Sequence, residues 1–390
     1  MVVSTERPLR VLVTSTPGVG HLGPLAPLAS ALQAAGHQVL WATAEEACDR
    51  VRAMGFDTVA CGMGVGGRVA ALAPQMPEIM ALDPRQRRQR LFVGFFAENA
   101  APRMCADLTA VFDSLHPDVV IHEMAELAAA PMSAGRGILH VTVAFSGALH
   151  QSVLGGALDA MDQIWVANGV ADASISDIFG ALYLHPFPGS FGPPPPDATS
   201  LLMRPGSVGD PGDAPDWLNA LGERPLVYLT AGTERVALAA PWVAAFEALA
   251  ALDVDVVATI GPMLEPASLG TVPANVHIER FVPQQLLLSR AAVVASHGGA
   301  GTVLGAAAHG VPQVLYPIAA DQWENADAVA RAGAGVVCEL DDREATALAA
   351  AFQRALDDTE MHKAAGVVAD EIAAMPTAAD HVAAIEALVS

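Results

Sequence analysis

Short apolar runs alternate with Ala-rich amphipathic segments along this chain, and the alternation occurs twice. Residues 10–15 read as a buried strand, 25–35 as a helix, 38–43 as a second strand and 44–54 as a second helix, with further apolar runs at 118–122 and 138–143. These runs are apolar throughout, the pattern of parallel strands covered on both faces. Between Pro186 and Trp217 the composition turns to proline and glycine, which marks a long connection, with a short strand at 200–203 inside it. The alternation then restarts, with strands predicted at 226–230, 254–260, 276–279, 292–296, 313–316 and 335–339 and a helix at 242–252. At 390 residues the chain has room for two or three domains of roughly 100–200 residues. The fold class expected is α/β: two doubly wound, Rossmann-like domains facing across a cleft, with ligands at the carboxyl ends of their strands.

Composition removes several function classes. Twenty basic against 42 acidic residues give a formal charge of −22, a surface that repels phosphate backbones, so nucleic acid is not an expected partner. Lys363 is the single lysine, so no GxxxxGK[ST] phosphate loop exists, and a pyridoxal Schiff base would have to use a residue in an Ala-rich helix near the C-terminus. Cys48, Cys61, Cys105 and Cys338 are far apart and form no CxxC pair, so they read as free thiols. The uncharged stretches 137–158 and 291–320 carry histidines, or glycines and a proline, and read as buried strand, loop and helix. With no apolar leader at the N-terminus, the expectation is a cytoplasmic protein without a membrane partner.

The first strand runs into Gly18, Gly20 and Gly23, which match GxGxxG letter for letter, with Glu45 and Glu46 further on. That pattern also occurs in nicotinamide enzymes. Pro24 at the helix start and the position of the acids beyond the second strand count against it. The other reading is that the glycines present His21, a side chain suited to general base work near neutral pH.

In the second half, a strand leads into His297, Gly298, Gly299, Ala300, Gly301 and Thr302 and then a helix. Backbone N–H groups at such a helix start form an anion site, to which His297 and Thr302 add donors. Asp321 beside Gln322 at a strand–helix junction offers acceptors and donors for paired sugar hydroxyls, while Asp321 alone reads as an N-cap. Asp253 and Asp255 spell DxD but open a strand, so no metal site is assigned.

In this order and spacing, Phe281-Val282-Pro283-Gln284, the His297–Thr302 loop, Gly310-Val311-Pro312, Pro317 and Asp321-Gln322 resemble the donor signature of family 1 glycosyltransferases of the GT-B fold. The Gly18–His21 loop is similar to the acceptor side of the same family. The likeness is greatest to the actinobacterial enzymes that decorate macrolides, enediynes and anthracyclines. It implies an inverting, metal-independent transfer of a deoxysugar from a thymidine diphosphate sugar to a hydroxyl of a hydrophobic natural-product aglycone. The sugar nucleotide is then a co-substrate, and no separate cofactor is expected.

The resemblance also implies residue roles. His21 is the base and Glu123 the acid that orients it, with Asp118 a turn residue. Phe281 stacks on the nucleotide base, and the Val282 backbone reads its edge. Gln284, Gly20, Gly232, Thr233, His297, Gly299, Gly301 and Thr302 belong to the donor site, and Asp321 and Gln322 grip the sugar. Gly305 stands where uridine-nucleotide users carry a glutamate for the ribose, which fits a 2′-deoxyribose. The expected organisation is an acceptor domain over 1–205, a linker over 206–216, a donor domain over 217–374 and a terminal helix over 375–390 packed back on the first domain. A homodimer is possible. The competing classes are a nicotinamide oxidoreductase, a sugar-nucleotide epimerase or hydrolase, and a non-catalytic glycosyltransferase partner.

Overall fold

The computed structural model describes residues 7–206, 212–232, 235–339 and 342–389. They form two compact units: the described residues of Met1–Pro186, Pro193–Val208 and Pro376–Ser390 in the first, and those of Phe187–Gly192 and Gly209–Met375 in the second.

The first unit is built on seven parallel strands: β1 (Arg10–Thr14), β2 (Gln38–Thr43), β3 (Asp57–Ala60), β4 (Val119–Glu123), β5 (Leu139–Val143), β6 (Leu182–His185) and β7 (Ser200–Leu202). Their spatial order is β3-β2-β1-β4-β5-β6-β7. Side chains alternate across the sheet, so Val11 and Val13 join the helix Val19–Ala34 on one face while Leu12 and Val120 face Leu108 and Phe112 on the other. Each fully buried Val or Leu contributes roughly 1.5–3 kcal/mol through removal from water. The terminal helix Val382–Val389 adds Ile385 to the first of these layers, and Glu386 lies 3.2 Å from His37.

The second unit repeats the plan with β8 (Leu226–Thr230), β9 (Asp255–Thr259), β10 (Val276–Glu279), β11 (Ala291–Ser296), β12 (Gln313–Leu315) and β13 (Gly335–Val337), ordered β10-β9-β8-β11-β12-β13 and again parallel. Phe187–Gly192, inside the span expected for the first domain, cluster here instead. Phe187 and Phe191 pack with Val329 and Ile372, and Arg331 donates to the Phe191 carbonyl at 2.8 Å.

One boundary departs strongly from expectation. The first helix starts at Val19, not near residue 25, and runs through Pro24 and Pro27. A proline inside a helix lacks an N–H and crowds the carbonyl four residues back. Here those carbonyls belong to Gly20 and Gly23, the residue type that best absorbs the local distortion. His21 is therefore in the first helical turn and not on a glycine-flexible loop.

Both sheets have the strand order of a Rossmann fold, with the chain reversing direction across the sheet between β1 and β4 in one unit and between β8 and β11 in the other. Ligands of such folds bind beyond the strand ends at that reversal. No single helix among the described residues is long and apolar enough to cross a membrane.

Candidate functional site

At the β1/β4 reversal, His21 follows β1 and Glu123 ends β4. His21 Nδ1 lies 3.1 Å from Glu123 Oε1, close in distance though off the line of an ideal hydrogen bond. Glu123 is fully buried and accepts from the Thr16 backbone N–H (3.2 Å), the Thr16 hydroxyl (2.9 Å) and the Ala125 N–H (2.5 Å). Burial alone pushes its pKa up. The charge and hydrogen bonding of His21, with the Ala125 and Thr16 donors, outweigh that and hold the carboxyl below its usual value. The imidazole is flanked by Phe145 at 4.6 Å, edge-on, and Phe96 at 5.7 Å between ring centres. Phe96 sits on a π-helical stretch, Val93–Ala100, between the helices Pro84–Phe92 and Ala101–Leu115. Such widened turns recur at functional sites.

The turn that follows β4 carries Glu126, a residue with no signal in the sequence pattern. It is buried and accepts from the Thr14 hydroxyl at 2.5 Å and from the Ala128 and Ala129 N–H groups at 2.9 and 3.3 Å. Burial pushes its pKa up to about 7 against the pull of these donors. Glu126 lines a small cavity with Thr16, Cys61, Met63, Phe96 and Met104, with room for about one water. So two carboxylates three residues apart are driven in opposite directions. Behind them His122 Nε2 meets His140 Nδ1 at 3.0 Å, and burial lowers these to about 4 and about 3, so both imidazoles are neutral at physiological pH. Asp118 is tied to Arg7 and Arg10, chiefly by the Arg7 hydrogen bonds, which hold it well below the usual carboxylate range.

At the β8/β11 reversal, His297 lies between two glycines. A β-carbon on Gly299 would stand 2.6 Å from His297 Nε2, and one on Gly232 would stand 3.0 Å from Cε1. Burial lowers the His297 pKa to about 4, and its buried Nδ1 has no partner among the described residues. Gly298, at φ +84°, turns the chain into the helix Ala300–Ala308. Among the described residues no side chain caps that helix, so the Ala300 and Gly301 N–H groups face an open end, while the Thr302 N–H donates to the Gly299 carbonyl at 3.0 Å and leaves its hydroxyl as the donor. Thr233 lies outside the described residues.

Around this loop, Phe281 is 67% exposed, a large aromatic face left in solvent, while Val282 is buried beneath it. Gln284 donates to the Gly301 carbonyl at 3.3 Å. A β-carbon on Gly305 would come 2.9 Å from Leu288 and 3.2 Å from Gln284, so a larger residue would displace these neighbours. Gly20 is exposed in the helix of the first unit and makes no close approach that requires glycine. Asp253 and Asp255 both lie against Arg224, and no group of three or more possible metal ligands exists among the described residues.

Asp321 occupies the N-cap position of the helix Gln322–Arg331 but makes no capping bond, correcting the simple reading of it as a cap. Its Oδ2 instead accepts from Asn325 Nδ2 at 2.9 Å. Gln322 is also partly committed: its Oε1 accepts from the Ile318 and Ala319 N–H groups at 2.8 and 2.9 Å. The residue before Asp321, Ala320, has φ +56°, a left-handed conformation that is uncommon for alanine.

Known proteins resemble this chain in sequence and in fold. Residues 243–388 match the family model described as Erythromycin biosynthesis protein CIII-like, C-terminal domain. The L-demethylnoviosyl transferase of Streptomyces niveus is 33% identical over 95% of this chain and 96% of its own. The 4'-demethylrebeccamycin synthase of Lentzea aerocolonigenes is 29% identical over 97% of this chain and 99% of its own. Among solved structures, the glycosyltransferase VinC in complex with DTDP has a TM-score of 0.79 at 27% identity, covering 97% of this chain and 98% of that one. The chain belongs to the GT-B glycosyltransferases of antibiotic biosynthesis.

Proposed function

We propose that this enzyme transfers a sugar, with inversion and without a metal, from a thymidine diphosphate deoxysugar to a hydroxyl of a hydrophobic natural-product aglycone. The observation that carries the reading is the placement of His21 against buried Glu123 at the sheet reversal. Glu123 orients the imidazole through Nδ1, leaving Nε2 to take the acceptor proton as the oxygen attacks the anomeric carbon. Acting in the transition state, such a base is worth about 10²–10⁴-fold. In-line displacement by a single nucleophile inverts the anomeric centre.

The second unit supplies the donor cradle. Gly232, Gly299, Gly301, Thr302 and Nδ1 of His297 receive the diphosphate, and the helix end stabilises the leaving group; Thr233, next in sequence to Gly232, is assigned to the same site. Phe281 stacks on the base, Val282 and Gln284 flank it, and Asp321 with the Gln322 amide group grips the sugar. A thymidine nucleotide is supported by the absence of a carboxylate at Gly305 and by the DTDP complex of VinC. No cofactor beyond the sugar nucleotide is required.

The test is product analysis with a thymidine diphosphate deoxysugar and an aglycone bearing one free hydroxyl, with and without excess chelator. Inverted product at an unchanged rate in chelator is expected. Retained configuration, or a severalfold loss restored by magnesium, would overturn the mechanism.

A further inference from the structure

The two parts of the donor site that a sugar nucleotide would bridge, the diphosphate loop and the sugar-contacting carboxylate, meet at one side chain. Asn325 is fully buried in the helix Gln322–Arg331. Its Nδ2 donates to the Gly298 carbonyl at 2.9 Å and to Asp321 Oδ2 at 2.9 Å. Both partners are acceptors, so only the orientation that directs both amide hydrogens at them is satisfied. Its Oδ1 is buried with no donor among the described residues. A buried, half-satisfied amide is unfavourable for the fold on its own account, which leaves the two bonds as the reason for its presence.

The local backbone gives those bonds something to hold. Ala320 is in a strained left-handed conformation immediately before Asp321, and such strain persists only when the surroundings over-determine it. Gln322 Oε1 pins the peptide N–H groups of Ile318 and Ala319 on one side, and Asn325 pins the Asp321 carboxylate on the other. Gly298 is pressed against the same helix start: a β-carbon there would lie 2.9 Å from the Gln322 carbonyl oxygen. The diphosphate loop and the sugar-contacting turn are therefore packed as one piece, with the Asn325 amide as their shared hydrogen-bond donor.

We infer that Asn325 is a positioning residue that couples the diphosphate loop at Gly298 to the carboxylate of Asp321, so that seating the diphosphate sets the group that holds the sugar. The inference rests on the donor-site reading proposed above and deepens it. Asn325 touches no substrate in this account. It acts through Gly298 and Asp321 alone.

The coupling is read by calorimetry with two probes, thymidine diphosphate and thymidine diphosphate glucose, whose affinity ratio isolates the sugar. Asp321→Ala should abolish the advantage of the sugar nucleotide while leaving thymidine diphosphate affinity within about twofold. Asn325→Leu should weaken thymidine diphosphate itself by roughly three- to tenfold, the worth of one lost hydrogen bond, and should also remove most of the sugar advantage. In the double variant, Asn325→Leu should cost only its thymidine diphosphate share, so the two losses of sugar advantage are not additive. Asn325→Asp, which keeps the shape but replaces the donor, should give the same pattern and serves if the leucine variant does not fold. Additive losses, or unchanged affinity for both probes in a folded Asn325 variant, would overturn the coupling while leaving the donor site standing. Failure of the unsubstituted protein to bind either probe would instead overturn the donor-site reading and this inference with it.

Discussion

Gly18 lacks a side chain where the ring of His21 needs the space: a β-carbon on Gly18 would stand 2.8 Å from His21 Cδ2. The backbone of Gly18, at φ −66° and ψ 146°, is one that any residue adopts, so the constraint is the imidazole and not the turn. Gly18→Ala should therefore push the ring from its place against Glu123. Turnover should fall about 10- to 100-fold, the range for a misplaced catalytic group, while thymidine diphosphate affinity is kept. Steady-state kinetics beside calorimetry checks this, and unchanged turnover would mean that the ring has room to spare.

Glu126 gives a pH signature. Its folded pKa of about 7 lies above the unfolded value of about 4.3. Between those values the folded chain binds the extra proton, so this group stabilises the fold at low pH and loses that contribution as pH rises towards 7. His122 and His140, lowered by burial, act in the opposite sense: they oppose folding as pH falls below their unfolded value of about 6.5. Comparing wild type with Glu126→Gln cancels the histidines. The difference in urea-unfolding free energy should shift in favour of the glutamine variant as pH rises from about 4.5 to 7, and a difference independent of pH would show that Glu126 is ionised throughout.

Much of this fold is legible in the sequence because the strands that carry it hold short apolar runs. The run at 226–230 coincides with β8, buried along its whole length, and those at 38–43 and 276–279 with the partly buried β2 and β10. β3 escaped because an edge strand with the exposed ends Asp57 and Ala60 has no apolar run to read. β6 escaped because Tyr183 and His185 are buried polar side chains that look like surface residues in a string of letters. Gly20, Gly23 and Pro24 read as loop and helix-start residues, yet the helix Val19–Ala34 runs through them. At the site, His21 and the His297 loop stand out by residue type and spacing, and Glu123 through the family resemblance alone. Glu126 and Asn325 do not, because their significance lies in burial and in partners far along the chain, which no local pattern encodes.

Donor choice follows from Gly305. Thymidine diphosphate should bind at least as tightly as uridine diphosphate, and a uridine preference beyond tenfold, about 1.4 kcal/mol, would contradict the reading. Restoring a glutamate should not create a uridine enzyme, because its β-carbon meets Leu288 and Gln284 first. Gly305→Glu should weaken both nucleotides, and a selective gain for uridine diphosphate would show that the carboxylate reaches the ribose after all.

The central claim is that His21 takes the acceptor proton. Its most direct measurement is kcat for His21→Ala with an aliphatic alcohol and with a phenol, beside thymidine diphosphate affinity in the same protein. The account predicts a loss of about 10²–10⁴-fold for the alcohol, a smaller loss for the more acidic phenol, a loss for Glu123→Gln smaller than either, and nucleotide affinity almost unchanged. Near-normal turnover of the alcohol would contradict the claim, and equal losses for the two acceptors would mean that His21 positions the acceptor without removing its proton.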